Sequence, residues 1–153
     1  MRIVVGADGA GVALKDLLAD LLGADERVAG VQDLGVHGAD DERPYSDVGL
    51  AAAATIAAGA ADRALLVCGT GIGMAISANK VEGIRATVAH DAYSVQRSVL
   101  SNDCQVLALG ARVIGPELAK TLVREWLGLR FDDSSPSARK VGVITTYERT
   151  HRH

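Results

Sequence analysis

The sequence predicts an α/β fold: a parallel sheet with helices on both faces, in three layers. Three observations carry this expectation. Short β-branched runs alternate with helix-length segments along the chain. The 153 residues suit one domain, 1–153, that buries about two-thirds of its unfolded surface. Hydrophobic residues make up 48% of the chain but aromatics only 3%, so the core must be built from aliphatic and small residues. Plentiful Ala and Gly let helices lie close on a sheet.

In order along the chain, Ile3-Val4-Val5 reads as the first strand and Leu14 to Leu22 as part of the first helix. Val28 to Leu34 is a second strand, weakened by Gly30. A polar loop, 38–44, expected to be mobile, leads to an Ala-rich helix from Asp47 to Ala60. Ala64 to Val67 is a third strand, Gly73 to Asn79 a third helix, and Arg85 to Val88 a fourth strand. Ala92 to Leu100 is a fourth helix and Gln105 to Leu109 a fifth strand. Pro116 suits the first turn of a helix running to Leu127. After the polar break 132–137, a last helix covers Ser137 to Arg149. No internal repeat or low-complexity segment divides the chain.

Charge and hydropathy narrow the function. The net charge is -3, and the longest basic run before the tail is Arg139-Lys140, which argues against nucleic acid held on a charged face. Met1-Arg2 leads directly into a strand, with no room for a signal-peptide core. The longest apolar tract, 50–61, is too short to span a bilayer. The expected location is the cytoplasm, with no membrane partner. Nothing in the spacing of Cys68 and Cys104 requires a disulfide; Cys104 reads as a small buried filler.

Ligands of parallel α/β sheets bind at the carboxyl ends of the strands. Three segments lie there. The strongest is Cys68-Gly69-Thr70-Gly71-Ile72-Gly73, where a strand ends in Cys and a Gly-rich turn opens a helix. Such a turn presents N–H groups inward and favours an anion, and it would activate the Cys68 thiol to attack a carbonyl or abstract a proton. The alternative is a buried strand-end Cys beside a structural turn. Asp8 ends the first strand and either binds or moves protons on a ligand or caps the first helix. His90-Asp91 follows the fourth strand: His90 relays a proton, binds phosphate or is incidental, and Asp91 caps a helix. Asn102 is a helix C-cap or a ligand donor. Arg112, Arg139 and Lys140 are candidate phosphate clamps or solvated charges. His151-Arg152-His153 reads as a frayed tail rather than a metal site.

Taken together, Gly6-x-Asp8-x-x-Gly11, the Cys68–Gly73 loop, Ala78-Asn79-Lys80, Gly83-Ile84-Arg85-Ala86, Tyr93-Ser94, Ser101-Asn102-Asp103 and the run from Leu107 to Gly115 resemble type B ribose-5-phosphate isomerase. That family also contains galactose-6-phosphate and tetrulose-phosphate isomerases. The resemblance runs from residue 3 to about 127, with a looser C-terminal helix. It implies a Rossmann-like, five-stranded parallel sheet and a homodimer with shared active sites, extending to a dimer of dimers. It also implies aldose–ketose isomerisation of a small sugar phosphate through a cis-enediol, with no cofactor and no metal. By position, Cys68 would be the base, and Thr70 with the amides of Gly69, Gly71 and Gly73 would hold the enediolate oxygen. Asp8 and Tyr45 would contact the sugar. Asn102 would enter from the partner subunit, and Arg112 with Arg139 or Lys140 would bind phosphate.

The departures bear on the substrate. Gly9 stands where the family pattern has a phosphate-contacting His. Ser101 stands where it has the His that opens the furanose ring. Asp-Tyr-Pro becomes Pro44-Tyr45-Ser46, and one C-terminal arginine gives way within 134–137. The family default makes ribose 5-phosphate/ribulose 5-phosphate the leading pair. The alternative is D-erythrulose 4-phosphate/D-erythrose 4-phosphate, which needs no ring opening because the phosphate occupies the ring-closing oxygen. Against that alternative, His90 would take over ring opening. A rival of another class is a non-catalytic phosphosugar-binding module.

Overall fold

The computed structural model describes residues 1–38 and 40–151. In chain order the elements are β1 (Arg2–Ala7), α1 (Val12–Gly23), β2 (Gly30–Asp33), α2 (Tyr45–Ala57), β3 (Arg63–Cys68), α3 (Ile72–Ala78), β4 (Ala86–Val88), α4 (Ala92–Leu100), β5 (Val106–Gly110), α5 (Pro116–Gly128) and α6 (Pro136–Thr150). The five strands pair in parallel in the order β2-β1-β3-β5-β4. The expected α/β architecture is therefore the observed one.

Strand side chains alternate between the two faces, and the burial follows. Ile3, Val5 and Ala7 of β1, Leu65 and Val67 of β3 and Leu107 and Leu109 of β5 face one side, where α1, α4 and α5 cover them around the fully buried Trp126. Val4, Ala64, Leu66, Cys68, Val106 and Ala108 face the other, under α2 and α3. The second face is lined with small residues, and α2 and α3 come together closely on it. A Cβ on Gly49 would lie 2.9 Å from the Ser77 Cβ. Cys68 thus points toward α2 and α3, while its strand neighbour Val67 points to the Trp126 side.

Several boundaries differ from the sequence reading for local reasons. The Ala-rich helix begins at Tyr45, directly after an extended Pro44, and stops at Ala57 rather than Ala60. Its end is a Schellman turn: Gly59 has φ +72°, its amide reaches the Ile56 carbonyl, and the Ala60 amide reaches that of Thr55. The second strand is shorter than expected, because Val28 folds back onto the Asp25 carbonyl in a turn. At the end of β2, the buried Lys15 of α1 pairs with Asp33 and with Asp16 at 2.9 Å. Burial opposes its charge, but the two carboxylates outweigh burial and leave its pKa raised.

The last helix, α6, lies on the surface with Val141 as its one buried residue. Its Glu148 accepts the Gly83 amide at 3.2 Å. His151 stacks on Tyr147, with ring centroids 4.0 Å apart; Arg152 and His153 of the expected tail lie outside the described residues. Among the described residues, no helix is long and apolar enough to cross a membrane.

Candidate active site

From β1 the chain goes out to β2 on one side and returns to β3 on the other. This switch point brings the ends of β1 and β3 side by side, with Ala7 paired to Val67. Asp8 and Cys68 therefore sit on adjoining strand ends, and the Asp8 amide bonds the Val67 carbonyl at 3.3 Å.

Cys68 is only 4% exposed, at the floor of a cleft. The Gly71 amide donates to its Sγ at 3.1 Å. That contact requires the loop to double back over the end of β5. Gly71 does so with φ +81°, and a Cβ there would stand 3.1–3.2 Å from the backbone of Ala108 and Leu109. A side chain at Gly71 would thus be strained twice over, by conformation and by contact. Thr70 turns its hydroxyl to accept the Ile72 amide at 3.3 Å. The helix that follows has only seven residues, and the amide that meets the thiol belongs to Gly71, the residue before it. At the second cysteine, burial pushes the Cys104 thiol up to about 11, against the pull of Arg85, and it is a buried filler.

Three further side chains complete the cleft. Tyr45, the first residue of α2, lays its ring on Gly73, where a Cβ would fall 2.4 Å from the ring edge. Arg112, in the turn after β5, donates its amide to the Gly69 carbonyl at 3.0 Å and rests its side chain on Gly69. Its guanidinium has no hydrogen-bond or ion-pair partner among the described residues, so it is available to an anion. Asp8 does not cap α1, whose N-cap is Gly11 with no side-chain cap; its carboxylate instead ties the loop before the helix. One carboxylate oxygen accepts the amides of Ala10 and Gly11 at 3.0 and 3.2 Å, and the side chain also lines the cleft. The cleft measures about 400 Å³ and is lined by Asp8, Tyr45, Arg112, the Cys68–Gly73 loop, Ile72 and Ile76. It joins a thiol, a carboxylate, a phenol, a guanidinium and backbone donors, a set suited to moving a proton on a small polyol anion.

The sequence did not single out Ile72 and Ile76 as site residues. They are 55% and 56% exposed and form one apolar edge of the cleft, four residues apart on α3. Their spacing is that of one helix face.

Other expected site residues lie outside the cleft of their own chain. Asn102 follows α4 and donates to the Arg97 carbonyl at 2.9 Å, which makes it a helix-end partner here. With Arg85, Ser94, Arg97 and Ile144 it lines a second depression of about 530 Å³. Ser101 accepts from the Arg97 guanidinium at 3.2 Å. Arg139 and Lys140 are exposed on α6. Asp91 caps α4 by accepting the Ser94 amide at 2.7 Å. The His90 Nε2 accepts the Gly110 amide at 2.9 Å, and burial holds its pKa below the usual value although Asp91 pulls it upward.

Known proteins show what this chain is similar to. The model of the Ribose/Galactose Isomerase family matches residues 3–144. A Mycolicibacterium smegmatis protein named D-erythrulose-4-phosphate isomerase 2 is 60% identical over 97% of this chain and 97% of its own length. A Pectobacterium atrosepticum D-erythrulose-4-phosphate isomerase is 45% identical over 100% of this chain and 99% of its own. Among solved structures, the ribose-5-phosphate isomerase B of Clostridium thermocellum superposes with a TM-score of 0.93 at 39% identity, covering 99% of this chain and 100% of the other. Fold and sequence converge: the chain belongs to the Ribose/Galactose Isomerase family and is a sugar-phosphate isomerase.

Proposed function

We propose that the chain interconverts D-erythrulose 4-phosphate and D-erythrose 4-phosphate, with Cys68 as the base that carries a proton between C1 and C2. The observation that carries the proton-transfer reading is Cys68, buried at the floor of the cleft with the Gly71 amide on its sulfur and Asp8, Tyr45 and Arg112 around it. A C–H beside a carbonyl is a weak acid. Its removal needs a positioned base and donors for the charge that grows on oxygen. Thr70 and the loop amides would supply those donors, Asp8 and Tyr45 would orient the hydroxyls, and Arg112 would take the phosphate.

The tetrose reading departs from the ribose 5-phosphate expectation for two reasons. Ser101 and Gly9 remove the imidazoles a cyclic pentose phosphate would use, and a tetrose 4-phosphate is open-chain because its phosphate blocks furanose closure. Identity is also higher to the proteins named for erythrulose 4-phosphate than to the structurally matched ribose-5-phosphate isomerase B.

A homodimer is part of the same reading. Asn102, Arg139 and Lys140 all lie away from the cleft of their own chain. In a dimer Asn102 and one of Arg139 or Lys140 would complete the cleft of the other subunit.

The test is kinetic. Purified protein should show kcat/KM for D-erythrulose 4-phosphate at least about tenfold above that for D-ribose 5-phosphate, a difference of roughly 1.4 kcal/mol in transition-state binding. A tenfold preference for ribose 5-phosphate would overturn the substrate assignment.

A further inference from the structure

Beside the cleft, the sheet has a defect that a histidine side chain repairs. β4 has three residues and β5 has five, and their pairing ends at Val88 and Ala108. Beyond that point β4 turns away. Two residues further along β5, the buried Gly110 amide faces the side that β4 has left, so no strand carbonyl can meet it. Buried amides without partners are rare because each costs a desolvation penalty. Here the His90 Nε2 takes the bond at 2.9 Å. An acceptor Nε2 means a neutral ring with its proton on Nδ1.

Gly110 is in direct contact with the catalytic loop. It pairs with Cys68 across the sheet. A Cβ on it would stand 2.8 Å from the backbone of Thr70. The next two residues continue the contact: the Ala111 amide donates to the Cys68 carbonyl at 2.8 Å and the Arg112 amide to the Gly69 carbonyl at 3.0 Å. Residues 110–112 are thus the seat on which Cys68, Gly69 and Thr70 rest, and His90 fixes the near end of that seat.

We propose that His90 is a positioning residue: its Nε2 stands in for the missing strand partner of Gly110 and, through the Gly110–Arg112 turn, holds the Cys68–Thr70 loop in register for proton transfer. It neither opens a sugar ring nor exchanges a proton with substrate. This rests on Cys68 being the base and deepens that reading.

The test compares His90→Phe, which keeps a ring but has no acceptor, with His90→Gln, whose side-chain carbonyl can take the Gly110 amide. A loop shifted by a fraction of an ångström costs turnover more than binding. His90→Phe should therefore lose about 10- to 100-fold in kcat with KM within about threefold, and His90→Gln should recover to within about threefold of wild type. Equal loss in both variants would make His90 an acid–base group, and full activity in His90→Phe would make it incidental; either overturns the proposal. Nitrogen-15 NMR of the wild-type protein gives a reading that does not depend on turnover or on the variants folding. The proposal expects an unprotonated Nε2 and a Gly110 amide protected from exchange. A proton on Nε2, or a freely exchanging Gly110 amide, contradicts it even if the protein turns over neither sugar phosphate.

Discussion

At the scale of single residues, the cleft depends on atoms that are missing as much as on those present. Gly73 is the clearest case, because the Tyr45 ring occupies the space a side chain there would need. Gly73→Ala should push the partly exposed ring off its seat while leaving the core untouched. KM should rise about tenfold, or roughly 1.4 kcal/mol of lost binding, with a smaller change in kcat. Steady-state kinetics would show it, and an unchanged KM would remove Tyr45 from the contacts with the sugar. Much of the cleft was legible at this scale. A Cys at a strand end before Gly-x-Gly-x-Gly and an Asp at a neighbouring strand end follow from where parallel strands finish; Arg112 was one of three candidate cations, and the sequence did not separate it from Arg139 and Lys140. The His90 contact was not legible. It depends on how far β4 runs beside β5, a tertiary fact that leaves no trace in the residues around His90.

At the scale of elements, the small residues noted in the composition find their use between α2 and α3. Gly49 faces Ser77 and the Met74 carbonyl at distances a methyl group would breach. In an exposed helix Gly→Ala would stabilise, by about 0.5–1 kcal/mol. At Gly49 the overpacking cost of about 1–3 kcal/mol should exceed that gain. Gly49→Ala should therefore lower Tm by a few degrees, about 3 °C per kcal/mol for a chain of this size, as scanning calorimetry would read. A raised Tm would mean that the two helices can part without cost. Short β-branched runs and helix-length segments put every strand and helix in its place in the order. Ends were less legible. The Ala-rich helix stops where Gly59 reverses the chain, and alanines beyond that point carry no signal that they have left the helix.

For the whole molecule, the sheet brings residues far apart in sequence to one edge. Asp8, Tyr45, Cys68 and Arg112 come from four separate connections and meet because parallel strands all finish at the same rim. The face bearing Cys68 is packed with Ala and Gly, and the opposite face with Leu and Trp126. Stability and chemistry are therefore largely separable. Cys68 ends its strand on the small-residue face, and replacing its sulfur by oxygen leaves the large-residue face around Trp126 intact. The order of the blocks disclosed the family from the sequence. It did not disclose the second depression beside Asn102, whose walls come from β4, α4 and α6 and are brought together only by tertiary packing.

The most direct measurement of the central claim is the turnover of Cys68→Ser, assayed with D-erythrulose 4-phosphate beside a thermal denaturation curve. A serine hydroxyl is far weaker as a base than a thiolate. The variant should keep its Tm within a few degrees and lose at least about 100-fold in kcat, the scale of a lost general base. A folded Cys68→Ser variant that retains more than about a tenth of wild-type kcat, within roughly 1.4 kcal/mol of the native barrier, would contradict the assignment of Cys68 as the base.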